Sequence, residues 1–197
     1  MIKLIIVDYY GSMTLGSYKE TCQWLSKKYK IPYKKVYSIV YHKYFSQAAL
    51  GKMSERQFAL EAIKELGLKE TPESIMKKHI SFQVPNKPVV KLMKKLQNQG
   101  YKILILSKNT PPQFKVALRK MHTRRYFKNI INTFDLKLPK ASKETMLYVF
   151  KKFKVKPQEV IYIDDQGFNL PQAKKLGVKT IYYRKFRDLQ NGLKQVL

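Results

Sequence analysis

Two apolar runs in this chain end on carboxylates. Leu4-Ile5-Ile6-Val7 leads straight into Asp8, and Val160-Ile161-Tyr162-Ile163 leads straight into Asp164-Asp165. Short apolar runs of this kind read as buried strands. In a parallel α/β sheet the carboxyl ends of the strands gather at one edge, and ligands bind there. The two runs therefore predict three carboxylates in one crevice. Such a cluster is unstable unless a cation compensates it, so the expectation is a divalent-metal site. A carboxylate at position 8 could also attack phosphorus or carbon and form a covalent intermediate.

Acidic residues are scarce, which sharpens this reading. The chain carries 40 Lys and Arg against 13 Asp and Glu, a formal net charge of +27. Outside residues 14–86 the acids are Asp8, Asp135, Glu144, Glu159, Asp164, Asp165 and Asp188, and three of these seven are the strand-end aspartates. So large a basic excess suits anionic substrates, anionic surfaces or nucleic acid. The lysines are spread along the whole chain, so the expected nucleic-acid binding is weak, non-specific and steeply lost with salt. Cys22 is the single cysteine, which excludes an intrachain disulfide and fits a reducing cytoplasm. The apolar run at 4–7 is too short for a signal peptide or a membrane span. The sequence thus predicts a soluble, cytoplasmic protein with no membrane partner. At 197 residues and 44% hydrophobic, it has enough for one good core and room for a small second one.

The elements that must position these residues fall in two groups. Residues 14–86 show helical spacing and no strand alternation. Trp24, Leu25 and Tyr29 suggest one apolar face, and Val36, Tyr37, Val40, Tyr41 and Tyr44 continue it. Ser54-Glu55-Arg56-Gln57 has a capping-box pattern, with Gly67 as the stop, and Thr71-Pro72-Glu73 opens another helix. Tyr29, Tyr33, Tyr37, Tyr41 and Tyr44 interleave with lysines. That pattern suits a stacking platform for single strands, but the helical spacing favours apolar packing within this segment. From Asn86 onward helix and strand alternate. Helices are expected over 88–99, 111–121, 143–153 and 170–176 and in the last residues, and strands over 101–106, 129–133, 160–163 and 179–183. Alternation implies a parallel sheet with right-handed crossovers. The predicted architecture is α/β: a Rossmann-like parallel-sheet core made of residues 1–13 and 87–197, with a helical cap of residues 14–86 inserted into it.

Four pieces then fall at strand ends or on the turns after them: Asp8 with Ser12, Ser107-Lys108-Asn109, Lys140, and Asp164-Asp165 with Asn169. This set resembles the haloacid dehalogenase-like superfamily. Asp8-Tyr9-Tyr10-Gly11-Ser12-Met13 is similar to its D-x-D-G-T-hydrophobic motif. Ser107 looks like the Ser or Thr of its second motif, and Leu138-Pro139-Lys140 like its third. The stretch from Ile161 to Gly177 is very close to its fourth, and a helical cap between the first two motifs is also a family feature. The resemblance implies Asp8 as nucleophile and metal ligand, and Asp164 and Asp165 as further ligands together with the backbone carbonyl of Tyr10. It implies magnesium as the metal and a small phosphorylated metabolite as substrate. Ser107 and Lys140 would act on the phosphate, and Ser12, Lys108 and Asn109 would help to bind it. Thr110 reads as an N-cap with Pro111 as the first helical residue, so the phosphate would also meet a helix N-terminus.

One departure matters. Phosphatases of this family carry a second aspartate, the general acid and base, where this chain has Tyr10. A tyrosine with its ordinary pKa of about 10 is poorly matched to proton transfer near neutrality. A slow magnesium-dependent phosphatase is therefore expected. One alternative is a degenerate relative that binds a phosphate compound, a protein or nucleic acid without turnover. Another is a 2-haloacid dehalogenase, a group that places Tyr at this position but lacks the acidic pair of the fourth motif. Asn169 reads equally as an N-cap or a site residue. His42, His79 and His122 are isolated and lack metal-ligand spacing, so they are expected to be structural or surface groups.

Overall fold

Five apolar runs pair side by side into one parallel sheet in the computed structural model, which describes residues 1–197. They are β1 (Leu4–Asp8), β4 (Lys102–Ser107), β5 (Asn129–Asn132), β6 (Val160–Asp164) and β7 (Lys179–Tyr182), in the order β5-β4-β1-β6-β7. β1 lies at the centre, with Ile6 opposite both Leu104 and Tyr162. Side chains alternate across a strand, and here both faces are apolar. Ile5, Val7, Ile103, Ile105, Ile161 and Ile163 enter one core, beneath helices Lys87–Asn98, Pro111–Lys120 and Phe186–Val196. Leu4, Ile6, Leu104, Leu106, Val160 and Tyr162 enter the other, with helix Lys143–Phe153. The α/β reading holds, with helices on both faces of a parallel sheet. Bounds shift by a residue or two, most usefully at β6, which runs on to include Asp164, and at β4, which includes Ser107.

Between β1 and β4 stand helices Tyr18–Tyr29, Glu55–Leu66 and Pro72–Phe82, and a continuous helical stretch over residues 33–48. These share a third cluster, built on Leu25, Val36, Phe45, Phe58 and Ile75. The caps match the sequence signals only in part. Ser54 accepts from the Gln57 N–H at 3.1 Å, so it caps its helix. Thr71 and Ser74 form a reciprocal box. The expectation of no strands in 14–86 is corrected: β2 (Thr14–Leu15) and β3 (Val84–Pro85) pair antiparallel where the chain leaves and re-enters the sheet layer. At two residues each they are too short to show alternation. The tyrosine-rich stretch is also unusual, because Ser38–Phe45 winds as a π-helix, a form associated with functional sites. Tyr33, Tyr37, Tyr41 and Phe45 stack in sequence with centroid separations of 4.9–5.5 Å. Tyr41 is buried and Tyr29, Tyr33, Tyr37 and Tyr44 are packed against the third cluster, which corresponds to the packing reading of the tyrosines. No helix is long and apolar enough to cross a membrane.

Candidate active site

The register of the sheet assembles the site. Asp8 lies opposite Leu106, one residue short of Ser107, and Val7 lies opposite Ile163, one residue short of Asp164. All three strands therefore end at the same edge. Asp8, Asp164 and Asp165 each offer an oxygen, and these lie within 4.8 Å of one another. Lys140 reaches in from the segment ahead of helix Lys143–Phe153. Its ammonium bonds Asp8 Oδ1 and sits 2.8 Å from Asp164 Oδ2. Asp164 is held on all sides: it accepts from Tyr162 Oη (2.6 Å), the Gln166 N–H (2.8 Å) and Asn169 Nδ2, which is 3.0 Å from each oxygen. Asn169 is thus a positioning group for Asp164; the residue at the N-cap of helix Pro171–Lys175 is Leu170. Asp165 rests its carboxylate on Gly11, where φ is +84° and a Cβ would overlap that carboxylate. Only glycine serves there.

Three carboxylates against one ammonium leave uncompensated negative charge in a buried place. Burial pushes the Asp8 carboxyl well above its usual range; Lys140 opposes this, and Asp164 and Asp165 add to it. Asp165 is pushed up to about 6 by burial and then by the Asp164 charge. Burial also works against the Lys140 ammonium, but Asp164 and Asp8 outweigh it and hold the group charged. Asp165 Oδ1 is buried without a hydrogen-bond partner, and no backbone N–H bonds the Tyr10 carbonyl. An all-oxygen donor set with such an orphan oxygen fits a magnesium ion. Lys140→Met tests the ammonium. With 4% of its side chain exposed, its loss strands two buried carboxylates. The variant should lose about 3–5 kcal/mol of stability, read by urea unfolding in EDTA. A loss under about 1 kcal/mol would show that the ammonium is not compensating them.

Ser12 and Ser107 are fully buried, and neither hydroxyl has a partner. Asn109 is fixed by Asn132, which accepts from the Asn109 N–H at 3.1 Å and donates to its carbonyl at 2.9 Å. Thr110 precedes helix Pro111–Lys120 as expected, but its hydroxyl donates to Glu55 at 2.5 Å rather than capping that helix. Lys108 Nζ lies 4.5 Å from the Tyr41 ring centre and 3.3 Å from Ser46 Oγ. Burial, helped by Lys140, lowers its ammonium to about 8.

A narrow cleft, with a cavity volume of about 40 Å³, opens between the sheet edge and the insertion helices. Of the sequence-predicted residues, Asp8, Tyr10, Lys108, Asn109, Lys140 and Asn169 line it. Ser12, Ser107, Asp164 and Asp165 lie outside its lining, the two aspartates in the carboxylate cluster with Asp8. The opposite wall is aromatic: Tyr18, Tyr37, Tyr41, Phe45 and His79. His79 is a buried structural group, bonded to Thr21 and stacked on Tyr18, and it also lines the cleft. Gln166 also lines the cleft and ties the two sides together, accepting from Tyr41 Oη at 2.9 Å.

The sequence matches the model of the family described as haloacid dehalogenase-like hydrolase over residues 17–183. The chain belongs to this family. The matched span begins after Asp8, but structural similarity extends across nearly the whole chain. A wild-type HAD family enzyme from Bacteroides thetaiotaomicron, solved with magnesium and inorganic phosphate, is 19% identical. It superposes with a TM-score of 0.72 over 93% of this chain and 95% of that one. The L-2-haloacid dehalogenase of Xanthobacter autotrophicus, solved with chloropropionic acid covalently bound, is 17% identical. Its TM-score is 0.67, over 99% and 83% of the two chains. Among curated proteins, bifunctional epoxide hydrolase 2 of Rattus norvegicus is 24% identical over 115 residues, 56% of this chain. The match spans about a fifth of that relative's length, 21%. These identities establish a shared fold, and this family member keeps the acidic pair Asp164-Asp165.

Proposed function

We propose that this haloacid dehalogenase-like hydrolase is a magnesium-dependent phosphatase of small phosphate monoesters. The observation that carries the reading is the set of unsatisfied polar atoms at one sheet edge. Ser12 Oγ, Ser107 Oγ and Asp165 Oδ1 are all buried and unbonded, beside an Asp8 that is held by Lys140. Buried polar atoms are rarely left this way without a ligand to complete them. The hydroxyls suit phosphate oxygens, and the carboxylate oxygen suits a cation. The neighbour bound to magnesium and phosphate supports the same choice. The orphan oxygen of Asp165 favours this reading over metal-independent dehalogenation.

In this reading the Asp8 carboxylate attacks phosphorus as the ester P–O bond breaks, giving an aspartyl phosphate and an alcohol. Water then attacks that phosphate, releases inorganic phosphate and restores Asp8. Lys140 orients Asp8 and places its charge beside the transferred group. Ser107 donates to a phosphate oxygen. Asp8, Asp164, Asp165 and the Tyr10 carbonyl would hold magnesium, which neutralises phosphoryl charge when bound. Tyr10 stands in the acid–base position. Burial, first, and then the neighbouring Tyr9 push its phenol well above the ordinary range, so neither the leaving group nor the water gains an efficient proton carrier.

The deciding experiment is release of phosphate from 4-nitrophenyl phosphate with magnesium and with EDTA. Magnesium should also stabilise the protein by RT ln(1 + [Mg]/Kd), about 2.7 kcal/mol at a hundredfold excess over Kd. The melting temperature should therefore rise by several degrees in the wild type and much less in Asp165→Asn. No release of phosphate, together with no thermal shift, would overturn the proposal.

A further inference from the structure

Two buried polar atoms, on residues that line the cleft, are unpartnered and unused by the chemistry above. One is Tyr10 Oη, whose hydroxyl is buried without a hydrogen bond. The other is His79 Nε2, on helix Pro72–Phe82. His79 is 1% exposed, lines the cleft and leaves Nε2 unbonded. The state of that nitrogen follows from its neighbours. His79 Nδ1 lies 2.9 Å from Thr21 Oγ1, and the Thr21 hydroxyl donates to the Ser17 carbonyl at 3.3 Å. A hydroxyl has one proton to give. With the Thr21 proton on the Ser17 carbonyl, Nδ1 carries the ring proton and donates to Thr21, which leaves Nε2 an acceptor. Burial keeps the ring neutral, lowering its pKa to about 3. The Tyr10 hydroxyl, by contrast, is free to donate. The two rings approach to a centroid separation of 6.3 Å, one on the turn after β1 and the other on the insertion helices.

We propose that this pair selects the substrate: one hydroxyl of the organic part of the phosphate ester sits between Tyr10 and His79, donating to Nε2 and accepting from Oη. The inference rests on the phosphatase reading of Asp8 and names its substrate class. The walls indicate the body that carries the hydroxyl. Tyr18 stacks on His79 at 4.2 Å, and Tyr37, Tyr41 and Phe45 form a continuous aromatic flank. Flat rings pack well against such surfaces. The class is therefore a hydroxylated aryl or heteroaryl phosphate monoester. An ester without the hydroxyl would leave a buried donor and a buried acceptor unpaired, which is what makes polar sites discriminate strongly.

Non-hydrolysable phosphonates test this on the intact protein with magnesium. Dissociation constants would be measured calorimetrically for phenylphosphonate, its 2-, 3- and 4-hydroxy derivatives and the matching methoxy derivatives. One hydroxy isomer should bind at least ~10-fold more tightly than phenylphosphonate, and its methoxy counterpart should not. His79→Phe and Tyr10→Phe should each bring that ratio close to one; either variant suffices if the other fails to fold. Equal binding of all the phosphonates, no binding of any, or a preference that survives both substitutions would overturn the proposal. The phosphatase reading fails separately. A hydroxyl preference in binding without turnover of the corresponding phosphate would sink that reading and leave the selecting pair intact. Turnover of all the aryl phosphates alike would sink the pair and leave the phosphatase.

Discussion

Asp8→Asn is expected to cut magnesium-dependent hydrolysis of 4-nitrophenyl phosphate by roughly 10⁴-fold or more, because an amide cannot serve as the nucleophile. The substitution is nearly isosteric, and it removes one of three clustered carboxylates, two of which pair with the Lys140 ammonium. In EDTA its melting temperature should therefore equal or exceed that of the wild type, since mutual repulsion falls. This pairing of lost activity with retained stability separates a chemical role from a structural one. Equal rates for wild type and variant would remove Asp8 from the mechanism. A rate lost together with the fold would mean that the carboxylate mainly anchors Lys140.

The opposite result is expected from Tyr10→Asp. Position 10 lies on the turn after β1, and Tyr10 packs edge-on against Tyr9 at 5.0 Å. A carboxylate there would protonate the leaving group and then activate water, help typically worth roughly 10²–10⁴-fold. Phenyl phosphate is the better probe, because its leaving group needs the proton more than nitrophenolate does. A rise of that size in kcat, with Tyr10→Phe remaining as slow as the wild type, would show an intact site that lacks only its acid–base group. No gain, in a variant that still binds magnesium, would show that the scaffold is not poised for turnover and would favour a binding role. A wild type already fast on phenyl phosphate would show that the tyrosine is not the bottleneck.

The sheet was legible because its strands are buried on both faces. Burial on both sides demands continuous apolar runs, and Leu4–Val7, Ile103–Leu106 and Val160–Ile163 show them without interruption. The aspartates were legible for a related reason. A carboxylate at the end of such a run has no packing use, and the chain has few acids to spend. The β2–β3 ribbon and the π-helix left no such trace. Two residues cannot alternate visibly, and a π-helix differs from an α-helix in backbone pairing rather than in the order of apolar residues.

By itself, then, the sequence determined the five strands of the main sheet, that they run parallel, and that Asp8, Asp164 and Asp165 come to one edge, because apolar runs and helix–strand alternation are written in the order of residues. Only the tertiary structure decided what surrounds them. It aimed the ammonium of Lys140, the lysine that the family resemblance had marked, between Asp8 and Asp164. It set Asn132 against Asn109 across 23 residues, Thr21 against His79 across 58, and Gln166 against Tyr41 across 125. It left His79 Nε2 and Tyr10 Oη, on two residues that line the cleft, buried without partners. The last of these bonds, between Tyr41 and Gln166, depends on how the insertion helices settle on the sheet. No period or spacing in one stretch of chain encodes that docking.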